Sequence, residues 1–151
     1  MKFILSSELG RLTKWLRLLN YDSYYFKGSN RAFIAKALEE ERVVVTSRCF
    51  FAAESKVKVF IVKSQDLRIQ LKDLKEKLGL KIDSSNMFSR CIRCNFELKE
   101  LTREEVKEKV PMSSYKSKRC FYRCSKCKQV FWIGSHQELA KKYLDSINNV
   151  S

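Results

Sequence analysis

One proline and four glycines in 151 residues are too few for a collagenous or low-complexity chain. Long apolar runs are missing too. None approaches the ~20 residues of a membrane span. The N-terminal "FIL" falls short of the ~7–15-residue core of a secretory signal. Acidic side chains are in the minority, 17 against 31 basic ones, which leaves a net charge of +14. That balance favours a polyanionic partner. With no span and no export signal, the expected setting is the cytoplasm, and nucleic acid is favoured over a membrane surface. No small-molecule substrate is expected. Apolar residues, at 44%, are ordinary for a globular protein, and a chain this long buries roughly 70% of its unfolded surface.

Cysteine is what the chain does have in a pattern. Two Cys-x-x-Cys pairs, in "RCIRC" and "RCSKC", stand 29 residues apart. Without an export signal, metal binding is the better reading than disulfides. The short spacing within each pair lets both sulfurs face one ion. Cys91, Cys94, Cys124 and Cys127 would then complete a tetrahedral site for one structural Zn²⁺, although iron suits the same four thiolates. Two pairs with no strand–CxxC–helix setting argue against redox chemistry. Strand-and-turn surroundings at 96–98 and 129–133 suggest the two knuckles of a zinc ribbon. Cys49 and Cys120 are expected as ordinary buried thiols. His136, the only histidine, is expected in the first turn of a closing helix and is not needed as a ligand.

Along the chain, "FIL" (3–5), "DSYYF" (22–26), "VVVT" (43–46) and "VKVFIV" (57–62) read as strands. Between them, Leu9, Leu12, Leu16 and Leu19 mark one helix, and Ser29 caps a second through "RAFIAKALEEER". Ser64 or Asp66 caps a third, striped by Leu67, Leu71, Leu74 and Leu78 and stopped by Gly79. Residues 47–55 read as a short helix or turn. Strands alternating with helices imply a doubly wound parallel sheet over residues 1–80. Residues 81–89 have no period and read as a linker. Residues 90–151 would hold the ribbon, a helical insert opened by a Thr102–Glu105 capping box and running to Pro111, and a closing helix capped by Ser135.

Three groups of basic residues are candidates for phosphate contact. Arg11, Lys14 and Arg17 recur every three residues on one helix face, where a solvated face is the plain alternative. Lys116, Lys118, Arg119 and Arg123 are interleaved with Tyr115, Phe121 and Tyr122, whose rings either stack on bases or pack inward. Lys126 and Lys128 flank the second knuckle.

The chain also resembles a known family. "LGRLTKWLRLLNYD", "RVVVTS", "IQLKDL", "RCIRCNFEL", "YRCSKCKQVFW" and "GSH" follow one another as similar motifs do in the Mut7-C RNase family. That resemblance implies a PIN-like ribonuclease fold followed by a zinc ribbon, and RNA as the partner. PIN-like nucleases hold Mg²⁺ or Mn²⁺ through carboxylates at the strand ends. Here the resemblance places Ser6, Asn30 and Arg48 where acids are expected. The strand ends carry Ser6–Ser7, Thr46–Ser47–Arg48 and Lys63–Ser64. These are hydroxyl and cationic groups suited to phosphate oxygens rather than to a divalent cation. Glu8 and Asp66 are either carboxylate remnants or helix-terminus acids. The expectation is a non-catalytic RNA-binding descendant of a ribonuclease, with ribosomal RNA and ribosomal proteins as partners and a role in holding the ribosome dormant. An active divalent-metal ribonuclease and a protein-binding zinc-ribbon adaptor are the alternatives.

Overall fold

The computed structural model describes residues 1–53 and 56–148, apart from the side chains of Ala52 and His136. Four short strands, β1 (Lys2–Leu5), β2 (Asp22–Tyr25), β3 (Val43–Thr46) and β4 (Val59–Ile61), pair in parallel in the order β2-β1-β3-β4. Strand side chains alternate between faces, and the apolar runs here feed two cores. Phe3, Leu5, Val43 and Val45 join Leu12, Leu16, Leu71 and Leu74 on one face. Ile4 and Val44 join Phe33, Ala37 and Phe51 on the other. Helices α1 (Gly10–Leu18) and α3 (Leu67–Leu78) therefore cover the first face, and α2 (Asn30–Glu39) covers the second. This is the α/β doubly wound sheet expected from the alternating pattern.

The helix ends are set locally. Ser29 accepts from Ala32 N–H to start α2, and Asp66 accepts from Arg68 and Ile69 N–H to start α3. Gly79 ends α3 at φ 68°, a left-handed value that costs a glycine little.

A second sheet is antiparallel, β5 (Leu98–Leu101), β6 (Phe121–Cys124) and β7 (Val130–Trp132) in sequence order. Its own core is small: Val106, Phe121 and Val130 are buried, with Leu101, Val110 and Trp132 against them. The Thr102–Glu105 capping box is present. The helix it opens, α4 (Arg103–Val106), stops short of the expected Pro111. Buried Val106 anchors it in the ribbon core, and Lys109 N–H closes a turn on Val106 O. Pro111 instead caps α5 (Met112–Ser117), which buries no residue and so left no apolar stripe to read.

The stretch expected as a linker is packed. Leu80, Ile82 and Met87 belong to the main core, Tyr21 Oη bridges Lys81 N and O, and Phe88 N–H donates to Leu18 O. The closing helix α6 (Ser135–Asn148) starts against the ribbon and runs onto the main core. Ala140, Leu144 and Ile147 join the α1–α3 core, and Trp15 and Tyr143 stack at 4.8 Å. Among the described residues no helix is long and apolar enough to cross a membrane.

Candidate functional site

In an open parallel sheet the strand order reverses at a switch point, and ligands bind outside the carboxyl strand ends there. Here that point lies between β1 and β3, so Ser6 and Thr46 stand at its floor. Between them sits Glu8, held by a short 3-10 turn (Ser7–Leu9) that follows β1. Ser6 Oγ lies 2.5 Å and Thr46 Oγ1 3.1 Å from Glu8 Oε1. Ser47 adds its N–H at 3.3 Å and its hydroxyl at 3.1 Å to the same oxygen. The other oxygen, Oε2, pairs with Arg48 Nη2 at 3.2 Å. Arg48 also reaches Asn30 Oδ1 at 3.2 Å and Ser7 Oγ at 3.3 Å. The positions of Ser6, Asn30 and Arg48 thus converge on one carboxylate.

Burial works against the Glu8 charge, but hydrogen bonds from Ser6, its own backbone and Ser47 outweigh it and hold the carboxyl at about 2 rather than 4.5. The folded value is the lower one, so Glu8 stabilises fully above about 4.5, and that contribution is lost as pH falls towards about 2. Ser6→Ala removes the largest of these hydrogen bonds. It is expected to move the acid-unfolding limb to higher pH, measured by circular dichroism between pH 2 and 5 as about a unit or less.

The resemblance implies a divalent cation at this pole, and the residues do not fit one. Hard cations need several oxygen ligands, preferably anionic. Among the described residues only Glu8 is offered, and a guanidinium already neutralises it. Asp66 stands away from this network and spends Oδ1 on capping α3. Among the described residues, one group of three or more Cys, His, Asp or Glu is gathered closely enough for a metal, and it lies elsewhere.

That group is Cys91, Cys94, Cys124 and Cys127, whose ligand atoms all lie within 4.8 Å of one another. Cys91 Sγ and Cys127 Sγ are 3.8 Å apart. Four thiolates at about 2.3 Å from a zinc ion stand about 3.8 Å from each other, so the donor set fits that ion. The two pairs are built alike. Asn95 N–H donates to Cys91 O, and Lys128 N–H to Cys124 O. Both donors take left-handed backbone, at φ 68° and 62°. Unmetallated, the cluster is electrostatically uneven. Burial pushes the Cys91 thiol up to about 12, while the Gln129 N–H brings Cys127 down to about 7. Cys49 is exposed and Cys120 half-buried, so the expectation that both are buried thiols is corrected. Cys49 lies on a surface turn after β3 that turns its side chain outward.

The basic candidates separate once they are placed. Arg11 and Lys14 are exposed on α1. They line a groove of about 570 Å³ with Gly10, Tyr25 and Arg93. Arg93, which the sequence reading missed, faces out because the sulfurs on either side of it turn inward. Arg17 lines the same groove but does not share the exposed face of its neighbours. It is 8% exposed. Its Nε donates to Ser23 O and its Nη1 to Ile92 O and Arg93 O, each at 2.9 Å. Those carbonyls tie the sheet to the first knuckle and occupy Nε and Nη1 of the guanidinium. Asn95 completes that joint: it accepts from Ser23 N–H and donates to Asp22 Oδ1.

Lys63 is exposed beyond β4, and Lys116 and Arg119 are exposed around α5. Lys118 and Arg123 are half-buried. Lys126 lies 5.0 Å over the exposed Phe96 ring, and Lys128 Nζ donates to Ser125 O. Arg48 is exposed but committed to Glu8.

Among known families, the one described as Mut7-C RNAse domain matches residues 1–144. No curated protein and no solved structure matches the chain.

Proposed function

We propose that this chain, which belongs to the Mut7-C RNase family, is an RNA-binding protein that does not cut its RNA. The observation that carries this reading is the pole of the parallel sheet. There the guanidinium of Arg48 pairs with Glu8, the one carboxylate at this pole among the described residues, and Ser6 and Asn30 supply neutral oxygens. A fixed side-chain cation neutralises Glu8, where a nuclease would recruit a divalent ion to activate water.

RNA is held instead by cations on the surface. Arg11, Lys14 and Arg93 form one strip, and Lys116, Lys118, Arg119, Arg123, Lys126 and Lys128 form a second around the ribbon. Lys63 extends the basic surface at the end of β4. Each phosphate neutralised steepens the salt dependence of binding by about 0.7–0.9 on a log–log scale. One structural Zn²⁺ on the four cysteines keeps the second strip in shape. A small chain of net charge +14 suits a stoichiometric place on a large RNA particle in the cytoplasm. Ribosomal RNA and ribosomal proteins are the partners we favour, with the bound chain holding the particle dormant.

The test is paired native and denaturing gels of end-labelled structured RNA with the zinc-loaded protein and Mn²⁺. A salt-sensitive shift with intact RNA is expected, followed by co-sedimentation with ribosomes. Cleavage that EDTA abolishes would make the chain an active nuclease, and neither shift nor cleavage would leave a protein-binding adaptor. A sharper check restores the acids. Ser6→Asp with Arg48→Asp is expected to bind Mn²⁺, measured by calorimetry, where the parent does not. If the double variant also binds none, this pole is not a lapsed metal site.

A further inference from the structure

Two cavities lie side by side where the ribbon meets α6. The first, about 260 Å³, has apolar and aromatic walls that include Phe88, Leu98, Phe131 and Trp132. Its polar residues are Arg90, Lys118, Ser135 and Gln137. The second, about 320 Å³, is lined by Ser84, Ser85, Ser89, Tyr122 and Lys141, and shares Phe88, Leu98 and Gln137 with the first. A cavity of this size enters the ~300–1,000 Å³ range of small-ligand sites.

Gln137 is the informative residue. It is 6% exposed, yet among the described residues its carboxamide has no hydrogen-bond partner. Arg90 Nε is buried and likewise unpartnered, although the rest of that guanidinium binds Asn95 O. Buried polar groups are normally satisfied, and leaving one unpaired carries the cost of its lost hydration. A buried guanidinium N–H without a partner and a carboxamide that opens on the cavities point to a ligand that brings its own polar edge. Lys118 Nζ stands at the rim, beside the space next to Gly134 and Trp132.

We infer that the two cavities together hold one nucleotide of a single RNA strand, with its base in the aromatic cavity and its ribose and phosphate over the serines and Lys141. The chemistry matches piece by piece. A base is planar and stacks on aromatic rings. Its edge meets a carboxamide and two cationic donors, a set that favours guanine, whose O6 and N7 acceptors lie together. The second cavity offers hydroxyls and an ammonium to a sugar and a phosphate. An unstacked base in such a pocket is how single-stranded RNA is read in sequence. This inference rests on the RNA-binding reading above.

The test uses the zinc-loaded full chain with Trp15→Phe, so that Trp132 is the only indole left. Guanosine, adenosine, cytidine and uridine 5′-monophosphates and a short single-stranded oligonucleotide are titrated against its fluorescence. Saturable quenching by the oligonucleotide, and by guanosine monophosphate ahead of the pyrimidines, is expected. Gln137→Leu removes the unpaired amide at similar volume. It is expected to weaken quenching at least about tenfold while leaving the melting temperature no lower than the parent's, a combination a purely structural glutamine does not give.

Gln137→Leu binding equal to the parent overturns the assignment, as does an absence of quenching by every probe. Quenching by monophosphates with none by the oligonucleotide makes this a free-nucleotide site and overturns the RNA part. A gel shift with no quenching overturns the pocket and leaves the RNA-binding function standing. Quenching with no gel shift on structured RNA overturns that function.

Discussion

Chelating zinc from the four-cysteine cluster is expected to abolish hydrogen-exchange protection across β5, β6 and β7 while the β1–β4 sheet stays protected. The reason is the disparity between the two cores. The parallel sheet is buried on both faces by helices. The ribbon buries Val106, Phe121 and Val130 and little more. Modules this small rarely fold on apolar burial alone and lean on metals or disulfides. Structural zinc contributes an apparent binding free energy on the order of 10–16 kcal/mol in finger peptides, much of it expressed as folding. Cys124→Ser is expected to reproduce the effect, since Cys124 is both a member of the cluster and a β6 residue paired with Leu98. Exchange mass spectrometry with and without chelator, with released zinc measured by a colorimetric dye, decides the matter. Full protection of β6 after the zinc has left would show that the ribbon core sustains itself.

Arg17→Ala should be nearly as damaging, by about 3 kcal/mol. Burial pulls the Arg17 guanidinium below its ordinary value, so its hydrogen bonds must offset a real loss of hydration. Removing it leaves the carbonyls of Ser23, Ile92 and Arg93 without their donor. The first knuckle then keeps its ion but loses its main hold on α1 and β2. Arg11→Ala is exposed and is expected to change stability by less than about 0.5 kcal/mol while weakening RNA binding. Urea melts of the two variants, run beside gel shifts, separate the roles. Equal melts with equally weakened shifts would return Arg17 to the RNA surface.

This contrast shows what the sequence can and cannot disclose. Arg11, Lys14 and Arg17 look alike at a three-residue spacing. A helix, however, advances 3.6 residues per turn. The third member therefore drifts off the exposed face, and here it meets carbonyls some 75 positions further along the chain. Local patterns were readable because local physics makes them. The alternating valines, the leucine stripes, Ser29, Asp66 and Gly79 all sit where period and capping place them. The cysteine cluster was legible for the same reason, since ligand spacing is a local property. Ser6, Asn30 and Arg48 could be put at one site only through a resemblance, because they come from three separate strand–helix junctions. Gln137 carried no signal at all. It looks like a polar residue in an amphipathic helix, and only the fold reveals that it lines two cavities.

Asn95 and Arg17 do more than join two modules. β2 is the outermost strand of its sheet, and such a strand offers unpaired amides to any other chain that can align with it. The first knuckle sits across that border, with the Asn95 amide taking the Ser23 N–H. Zinc on the four cysteines would therefore also govern colloidal behaviour. Loosening the first knuckle would leave the Ser23 N–H open on that edge, so protein stripped of metal is expected to self-associate through β2 before its parallel sheet unfolds.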